Sequence, residues 1–198
     1  LALMEKAAEN GALNAAWALA GLYEARDDAE SQVKALAFLR MAGDRGHPRA
    51  MTRLGRSILA GDLRGARDEG ADWIRKAAAS GDPDGLFTLG ALAAQGVGID
   101  QDLGLARDSW REAARAGHPR AQAALALALA GEGAFAATDD RDPARAYIWL
   151  RLAEDAALAP AGPLADSIAA VLPEDSHRAL DEIAEGWRPG EPITAEQP

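Results

Sequence analysis

Apolar residues recur at fixed distances from a glycine that appears in four copies along the chain, at Gly11, Gly46, Gly81 and Gly117. A leucine follows each of these glycines at the same offset, at Leu19, Leu54, Leu89 and Leu125. The next residue is always small, at Ala20, Gly55, Gly90 and Ala126. A self-similar period of about 36 residues is typical of helical repeats, in which each unit buries its apolar face against its neighbours.

Each copy contains the pattern of two helices. The first helix carries apolar residues at spacings of three and four, and the second carries an aromatic residue followed by alanine one turn later. The aromatic residues are Phe38, Trp73, Trp110 and Trp149. We interpret the leucine as core filling, the small residue beside it as the place where the partner helix approaches, and the aromatics as wedges between repeats. The pattern therefore predicts an all-α solenoid.

The period also predicts the domain boundaries. We expect a single repeat domain over 1–187 and a disordered tail over 188–198, where Pro and Gly are frequent and little can be buried. Within the domain we assign a partial repeat to 1–11, full repeats to 12–46, 47–81, 82–117 and 118–157, and a helical cap to 158–187. The second helix of the first full repeat is expected over Val33–Gly43, after a polar turn.

The predicted cap has two faces. Its apolar residues have the spacing of two helices that close the core: Leu164, Ile168, Leu172, Leu180 and Ile183. Its charged residues are left to solvent: Glu174, Asp175, Arg178 and Glu182. The sequence has no similar cap near Leu1, so we expect the N-terminal edge to be covered by a missing helix, a second copy or a partner.

Composition argues against several classes of function. The chain has 31 acidic and 21 basic residues and a formal charge of −10, which argues against binding to nucleic acid. It has no cysteine, so disulfides and thiolate chemistry are excluded. The longest nearly apolar run, 121–130, is too short to cross a bilayer, and we expect no direct membrane insertion. The cellular compartment stays open on composition alone.

Motif residues then indicate a family. The second repeat has Ala50 four residues after its glycine and Leu54-Gly55 further along, and Trp73 is followed by Lys-Ala-Ala and the next anchor glycine. Between the helices of the third repeat lies a Gly96-x-Gly turn with Asp102. These features resemble the Sel-one-like (Sel1-like) repeat family of bacterial type, which is related to tetratricopeptide repeats, over about residues 1–157.

The resemblance implies a right-handed α/α superhelical solenoid of helix-turn-helix repeats that binds other proteins. Many bacterial members of the family are exported, so the resemblance favours the periplasm or the exterior over the cytoplasm. A cysteine-rich branch has been credited with binding or hydrolysing β-lactams. That hydrolase activity is an alternative that we do not carry over, because this chain has no cysteine.

Candidate catalytic and cofactor motifs are weak. Gly96-x-Gly98 follows a predicted helix and lacks the third glycine of a nucleotide-binding loop. The aspartates of two predicted turns lack the ligand spacing of a calcium loop. The histidines show no pattern of a zinc site or a catalytic triad. We therefore predict no catalytic residue, no metal and no cofactor, and expect that the protein is not an enzyme; an active site assembled across the fold stays an alternative.

The binding site is predicted on the concave face of the solenoid. In each first helix, the positions beside the core stripe are expected to face this side. They are Asn14, Trp17, Glu24, Arg49, Thr52, Arg56, Asp84, Phe87 and Arg120. Aromatic and arginine residues are typical of binding hot spots, and the arginines favour an acidic partner. The long turn around Phe135 is an alternative surface, and Trp17 and Phe87 alternatively pack on neighbouring helices.

The sequence thus predicts a scaffold or adaptor that binds a protein or peptide, with a regulatory or assembly role. The alternative is a structural spacer that positions a flanking domain. For the oligomeric state, we expect a monomer or a weak homodimer through the N-terminal edge.

Overall fold

The structure, a computed structural model, describes residues 1–26, 28–61, 67–139, 141–155 and 161–193. All regular elements in these ranges are helical, as the periodicity predicts. The α-helices are α1 (Ala2–Glu9), α2 (Leu13–Glu24), α3 (Ala29–Asp44), α4 (Pro48–Ala60), α5 (Arg67–Ala79), α6 (Pro83–Gln95), α7 (Leu103–Arg115), α8 (Pro119–Ala130), α9 (Pro143–Asp155), α10 (Ala161–Ala169) and α11 (Glu174–Gly186). A short 3₁₀ helix spans Gly133–Phe135.

The recurring glycine ends one helix so that the next can begin. Gly46 and Gly81 have φ angles of 93° and 76°, in the left-handed region that side chains other than glycine rarely adopt. The residue that follows each of them caps the next helix through its side chain, as His47 and Asp82 do. A proline then occupies the first turn, where its missing N–H costs nothing. The sequence Gly-x-Pro is therefore the joint between repeats.

Helix α3 begins earlier than expected. It starts at Ala29, not at Val33, because the carboxylate of Asp28 accepts a hydrogen bond from Ser31 N at 2.8 Å and caps the helix there. The acidic and polar residues assigned to a turn thus form the first helical turn. Residues 62–66, between α4 and α5, lie outside the described residues.

The chain divides into two compact units. Unit 1 comprises Leu1–Leu92 with Gly96–Asp100, and unit 2 comprises Ala93–Gln95 with Gln101–Pro198. In unit 1, each of α1 to α4 packs on the helix that follows it. The repeated leucines lie in the core as predicted, with Leu19 and Leu54 fully buried in unit 1 and Leu125 buried in unit 2.

The small residue beside the leucine permits close contact between helices, as predicted. A Cβ placed on Gly55 of α4 would lie 2.6 Å from the carbonyl oxygen of Gly70 in α5. Backbone at that distance cannot move aside cheaply, so only glycine fits. The approach of α4 to α5 explains why a helix interior keeps a residue that costs about 1 kcal/mol against alanine.

The four aromatic residues of the second helices are not equally buried. Trp110 and Trp149 lie in the interior of unit 2. Phe38 and Trp73 are only partly buried, although both pack against the core cluster of unit 1. The ammonium of Lys76 lies over the Trp73 ring, 4.5 Å from its centre. Because this neighbour is a charged side chain and not a packed apolar one, the ring stays partly exposed.

The helices α10 and α11 both pack on α9 in unit 2. Ile168 and Leu180 are buried at this contact, whereas the charged residues predicted to face solvent are exposed. A polar contact that the apolar pattern does not reveal joins α9 to α11. The carboxylate of Asp181 accepts hydrogen bonds from Tyr147 OH at 2.8 Å and from Arg151 Nε at 3.2 Å.

The chain ends are described in part. In the predicted disordered tail, Gly190 N donates a hydrogen bond to Arg115 O at 2.7 Å, and Trp187 meets Trp149 edge-on just before the tail begins. Residues 194–198 of the tail lie outside the described residues. At the N-terminal edge of unit 1, Leu3 is 84% exposed. The homodimer through this edge stays a prediction.

Candidate functional site

A cleft of about 410 Å³ opens on unit 1 beside the first helices of its repeats. We call it the arginine cleft. Its lining residues come from α2, from α4 and from the start of α6. They are Trp17, Arg49, Thr52, Arg53, Arg56, Ser57, Ala60, Asp82 and Asp84. Polar and charged side chains line much of this opening, and it therefore differs from the apolar core beneath it.

The pattern of α4 explains why its arginines meet. Arg49, Arg53 and Arg56 are spaced by four and three residues, so they lie on one face of the helix. Leu54 and Ile58, at other angles around the same helix, are buried in the core. The helix is thus strongly amphipathic, and its polar face is the basic wall of the arginine cleft.

Trp17 forms the aromatic wall. Its ring stacks on the imidazole of His47, with ring centres 5.3 Å apart and planes inclined by 15°. The guanidinium carbons of Arg49 and Arg53 lie 5.6 and 5.7 Å from the centre of the same ring. Cation–π attraction holds both arginines against Trp17 and keeps their charge near the cleft.

The three arginines differ in their ionic partners. Arg53 forms a salt bridge with Glu24 of α2, so its charge is largely compensated. Arg49 and Arg56 are exposed, and neither forms a salt bridge with any carboxylate in the described part of the chain. These two guanidinium groups therefore have donors available for an anionic group brought by a partner.

Thr52, which we predicted to contact a partner, has a structural role instead. It is only 4% exposed, and its hydroxyl donates a hydrogen bond to Asp82 Oδ2 at 2.6 Å. The same carboxylate oxygen accepts from Gly85 N at 2.9 Å and so caps α6. The position that places Thr52 on the polar face of α4 also brings it next to the following repeat. There its hydroxyl meets Asp82, the cap of α6. Thr52 and Asp82 thus connect α4 to α6 at the base of the cleft.

We expect Asp82→Ala to lower the free energy of unfolding by about 1–3 kcal/mol. The substitution removes a helix cap and leaves the buried Thr52 hydroxyl without its acceptor. Asp82→Asn is the matched control, because an amide oxygen also caps a helix and accepts from a hydroxyl. Urea unfolding followed by circular dichroism measures both variants. Equal stability of Asp82→Ala and the wild type would contradict the structural role of this carboxylate.

His47 is the cap of α4 and lies beneath Trp17. Its Nδ1 accepts a hydrogen bond from Ala50 N at 3.3 Å, so this nitrogen carries no proton. Burial lowers the pKa of His47 below its ordinary value of 6.5, and the charge of Arg49 lowers it further. A hydrogen bond between the imidazole and the backbone of His47, together with the carboxylate of Asp82, raises the pKa but does not offset the lowering. The ring is therefore neutral in the folded protein near neutral pH.

This environment predicts a pH dependence of stability. Because the folded pKa is depressed, the unfolded chain binds more protons between the folded pKa and the ordinary value of 6.5. The contribution of His47 is complete above that value and is lost progressively as the pH falls below it. We expect the wild type to lose more stability than His47→Asn between about pH 7.5 and about pH 5.5, since asparagine caps the helix without titrating. Urea unfolding at both pH values tests this, and parallel losses would contradict it.

Other predicted site residues lie in different places. Glu24 reaches the cleft through its salt bridge with Arg53. Asn14 is exposed and Phe87 is partly buried, and neither lines the cleft. Arg120 belongs to unit 2.

Phe135, the alternative contact in the long turn, is buried in unit 2. Its ring is 4% exposed, and its centre lies 5.8 Å from the centre of the Trp110 ring and 5.6 Å from the guanidinium carbon of Arg107. A side chain so covered offers little surface to a partner. The long turn thus uses its aromatic residue to pack on α7.

Four residues of the cleft were not predicted: Arg53, Ser57, Ala60 and Asp82. Arg53 and Ser57 lie between the offsets that we assigned to the concave face, although the four-residue spacing from Arg49 would have indicated both. The capping position of Asp82 before a proline was the signal for its role at the start of α6.

The described residues contain no group of three or more His, Asp or Glu side chains placed to hold a metal ion. Within the same ranges, no helix has the length and apolar character needed to cross a membrane.

Comparison with known proteins gives matches among solved structures. No family model and no curated protein matches the chain. A crystal structure of a protective antigen present in uropathogenic Escherichia coli strains, displaying an SLR (Sel1 repeat) fold, is similar over 92% of this chain, with a TM-score of 0.75 and 24% identity. A Sel1 repeat protein from Oxalobacter formigenes is similar over 62% of this chain and 93% of its own length, with a TM-score of 0.57 and 30% identity.

The chain spans 39% of the length of the Escherichia coli antigen. These neighbours confirm the predicted fold class, an all-α solenoid of helix-turn-helix repeats.

Proposed function

Because this chain belongs to the Sel1-like repeat family, we propose that it is an interaction scaffold that binds a segment of another protein in the arginine cleft. The observation that carries the proposal is the pairing of an aromatic wall, Trp17, with two arginines that lack a carboxylate partner in the described structure. Tryptophan and arginine are the residues most enriched among binding hot spots.

The chemistry of the cleft favours an acidic segment. The whole chain has a formal charge of −10, so an anionic partner is repelled by most of the surface. Arg49 and Arg56 form a local exception, and the stacked Trp17 beside them supplies apolar area. A partner with carboxylates and an apolar side chain would satisfy both features, and the surrounding negative charge would disfavour binding elsewhere.

We propose a role in binding without catalysis. The histidine nearest the cleft, His47, uses Nδ1 to cap α4 and its ring face to support Trp17, so its visible interactions are structural. Asp82 likewise accepts hydrogen bonds from Thr52 and Gly85. These two groups hold the walls of the cleft in place.

Capture of partners from native cell extract, with identification by mass spectrometry, tests the proposed function. Wild-type chain serves as one bait and the double variant Arg49→Ala/Arg56→Ala as the other. The control bait is Arg40→Ala/Arg75→Ala, which removes the same charge from exposed positions on α3 and α5.

We expect at least one protein captured by the wild type and the control to be lost from the cleft variant. Identical capture by all three baits would contradict binding in the arginine cleft. Capture of no protein by any bait would favour the structural spacer.

A further inference from the structure

We infer that the arginine cleft selects acidic segments by the distance between two carboxylates, and that it favours an extended chain with acidic side chains three residues apart. This inference rests on the proposed function and specifies its ligand. It follows from the separation of the two available arginines, from the compensated charge between them and from the size of the cleft.

The separation of Arg49 and Arg56 sets the distance. They are seven residues apart on α4, close to two full turns, and therefore point to the same side. At a rise of about 1.5 Å per residue, their backbone positions are about 10 Å apart along the helix axis. An extended chain of the polyproline II type has three residues per turn and rises about 3.1 Å per residue, so carboxylates three residues apart point to the same side about 9 Å apart and match this distance when the ligand runs along α4.

The middle of the basic wall is not available to a third carboxylate. Arg53 lies between the other two arginines, and its guanidinium is paired with Glu24. Asp84 of α6 also lines the cleft. An uninterrupted acidic run would place carboxylates near these groups, and like charges in proximity are unfavourable. Two separated acidic residues avoid that cost.

The cleft, of about 410 Å³, has space for a short extended segment. Small residues at one end, Ser57 and Ala60, leave room for a backbone beside Arg56. At the other end, the Trp17 ring is placed to contact an apolar side chain next to the first carboxylate.

Titration with synthetic peptides tests the inference directly. The probes are short glycine-serine peptides with blocked termini, one leucine and two glutamates, which are placed adjacent, two, three or five residues apart. A further peptide has glutamine at both positions. Binding is followed by NMR from the indole N–H signal of Trp17, assigned with Trp17→Phe. NMR detects weak complexes, so an isolated peptide needs no high affinity.

The peptide with glutamates three residues apart is expected to bind about threefold to tenfold more tightly than the peptide with adjacent glutamates. That ratio corresponds to one additional partly exposed charge-assisted contact. In Arg56→Ala only one guanidinium remains available, and the preference for spacing should disappear. The control Arg75→Ala should keep it.

Equal affinity for all glutamate spacings would overturn the inference, as would a preference that persists in Arg56→Ala. If no peptide binds while the captured partner still depends on Arg49 and Arg56, the spacing rule fails and the proposed function stands. If the partner is also independent of these arginines, the proposed function fails with it.

Discussion

Leu54→Ala is expected to lower the free energy of unfolding by about 2–5 kcal/mol, the range for truncation of a large core side chain. Leu54 has no exposed surface and belongs to the main apolar cluster of unit 1. Its packing is close, because a Cβ on Gly43 of α3 would lie 2.8 Å from Leu54 Cδ1. The neighbouring backbone is held by helix packing on both sides, so the cavity cannot collapse fully.

Urea unfolding monitored by circular dichroism measures the effect. Leu22→Ala is the matched control, since Leu22 is also a helical leucine of unit 1 but is 47% exposed. We expect the control to change stability much less than Leu54→Ala. A midpoint of Leu54→Ala equal to that of the wild type would be incompatible with the repeat register, in which this leucine fills the core.

Trp17→Ala is expected to weaken binding of the captured partner by about 2–4 kcal/mol, at least a thirtyfold loss of affinity. The substitution removes the aromatic wall and also releases Arg49 and Arg53, which are held over the ring by cation–π contacts. Both apolar and electrostatic complementarity are therefore lost together. Isothermal titration with the purified partner provides the affinity.

Two controls separate this loss of binding from loss of fold. Trp17→Phe keeps an aromatic face on His47 and should retain most of the affinity. Trp187→Ala removes a tryptophan from unit 2 and should leave the affinity unchanged. Thermal unfolding of each variant verifies that the chain is folded at the temperature of the titration. Wild-type affinity in folded Trp17→Ala would mean that the partner does not contact this ring.

Most of the helices and their core residues could be predicted from the sequence, because the same local constraints recur in each repeat. A left-handed glycine, a capping residue and a proline recur together, and each of them acts within a few residues along the chain. The leucine and the small residue beside it recur because helices pack at short distance. Such constraints can be recognised without coordinates.

The cleft could be predicted only in part. The polar face of α4 follows from helical periodicity, and with it the position of Arg49 and Arg56 on that face. The pairing of Arg53 with Glu24 and that of Thr52 with Asp82 join different helices, at distances that depend on how the repeats dock. No single-helix pattern contains that information, so Thr52 was expected at the surface and Arg53 was overlooked.

Burial of aromatic residues was likewise difficult to predict. Trp73 and Trp149 occupy the same repeat position, yet only Trp149 is fully covered. The difference arises from neighbours, because Lys76 lies over Trp73 whereas Trp187 meets Trp149 from the end of the chain. Phe135 was predicted as an alternative partner contact in the long turn, but its ring packs on Trp110.

Site-specific photo-cross-linking tests most directly the central claim that the arginine cleft is the binding surface. In one variant, a photoreactive phenylalanine analogue replaces Ala60, the last residue of α4 and part of the cleft. In the control variant, the analogue replaces Ala79, the last residue of α5, which is exposed like Ala60 but does not line the cleft. We expect a cross-link to the captured partner from position 60 and little or none from position 79. Efficient cross-linking from position 79 together with none from position 60 would contradict it.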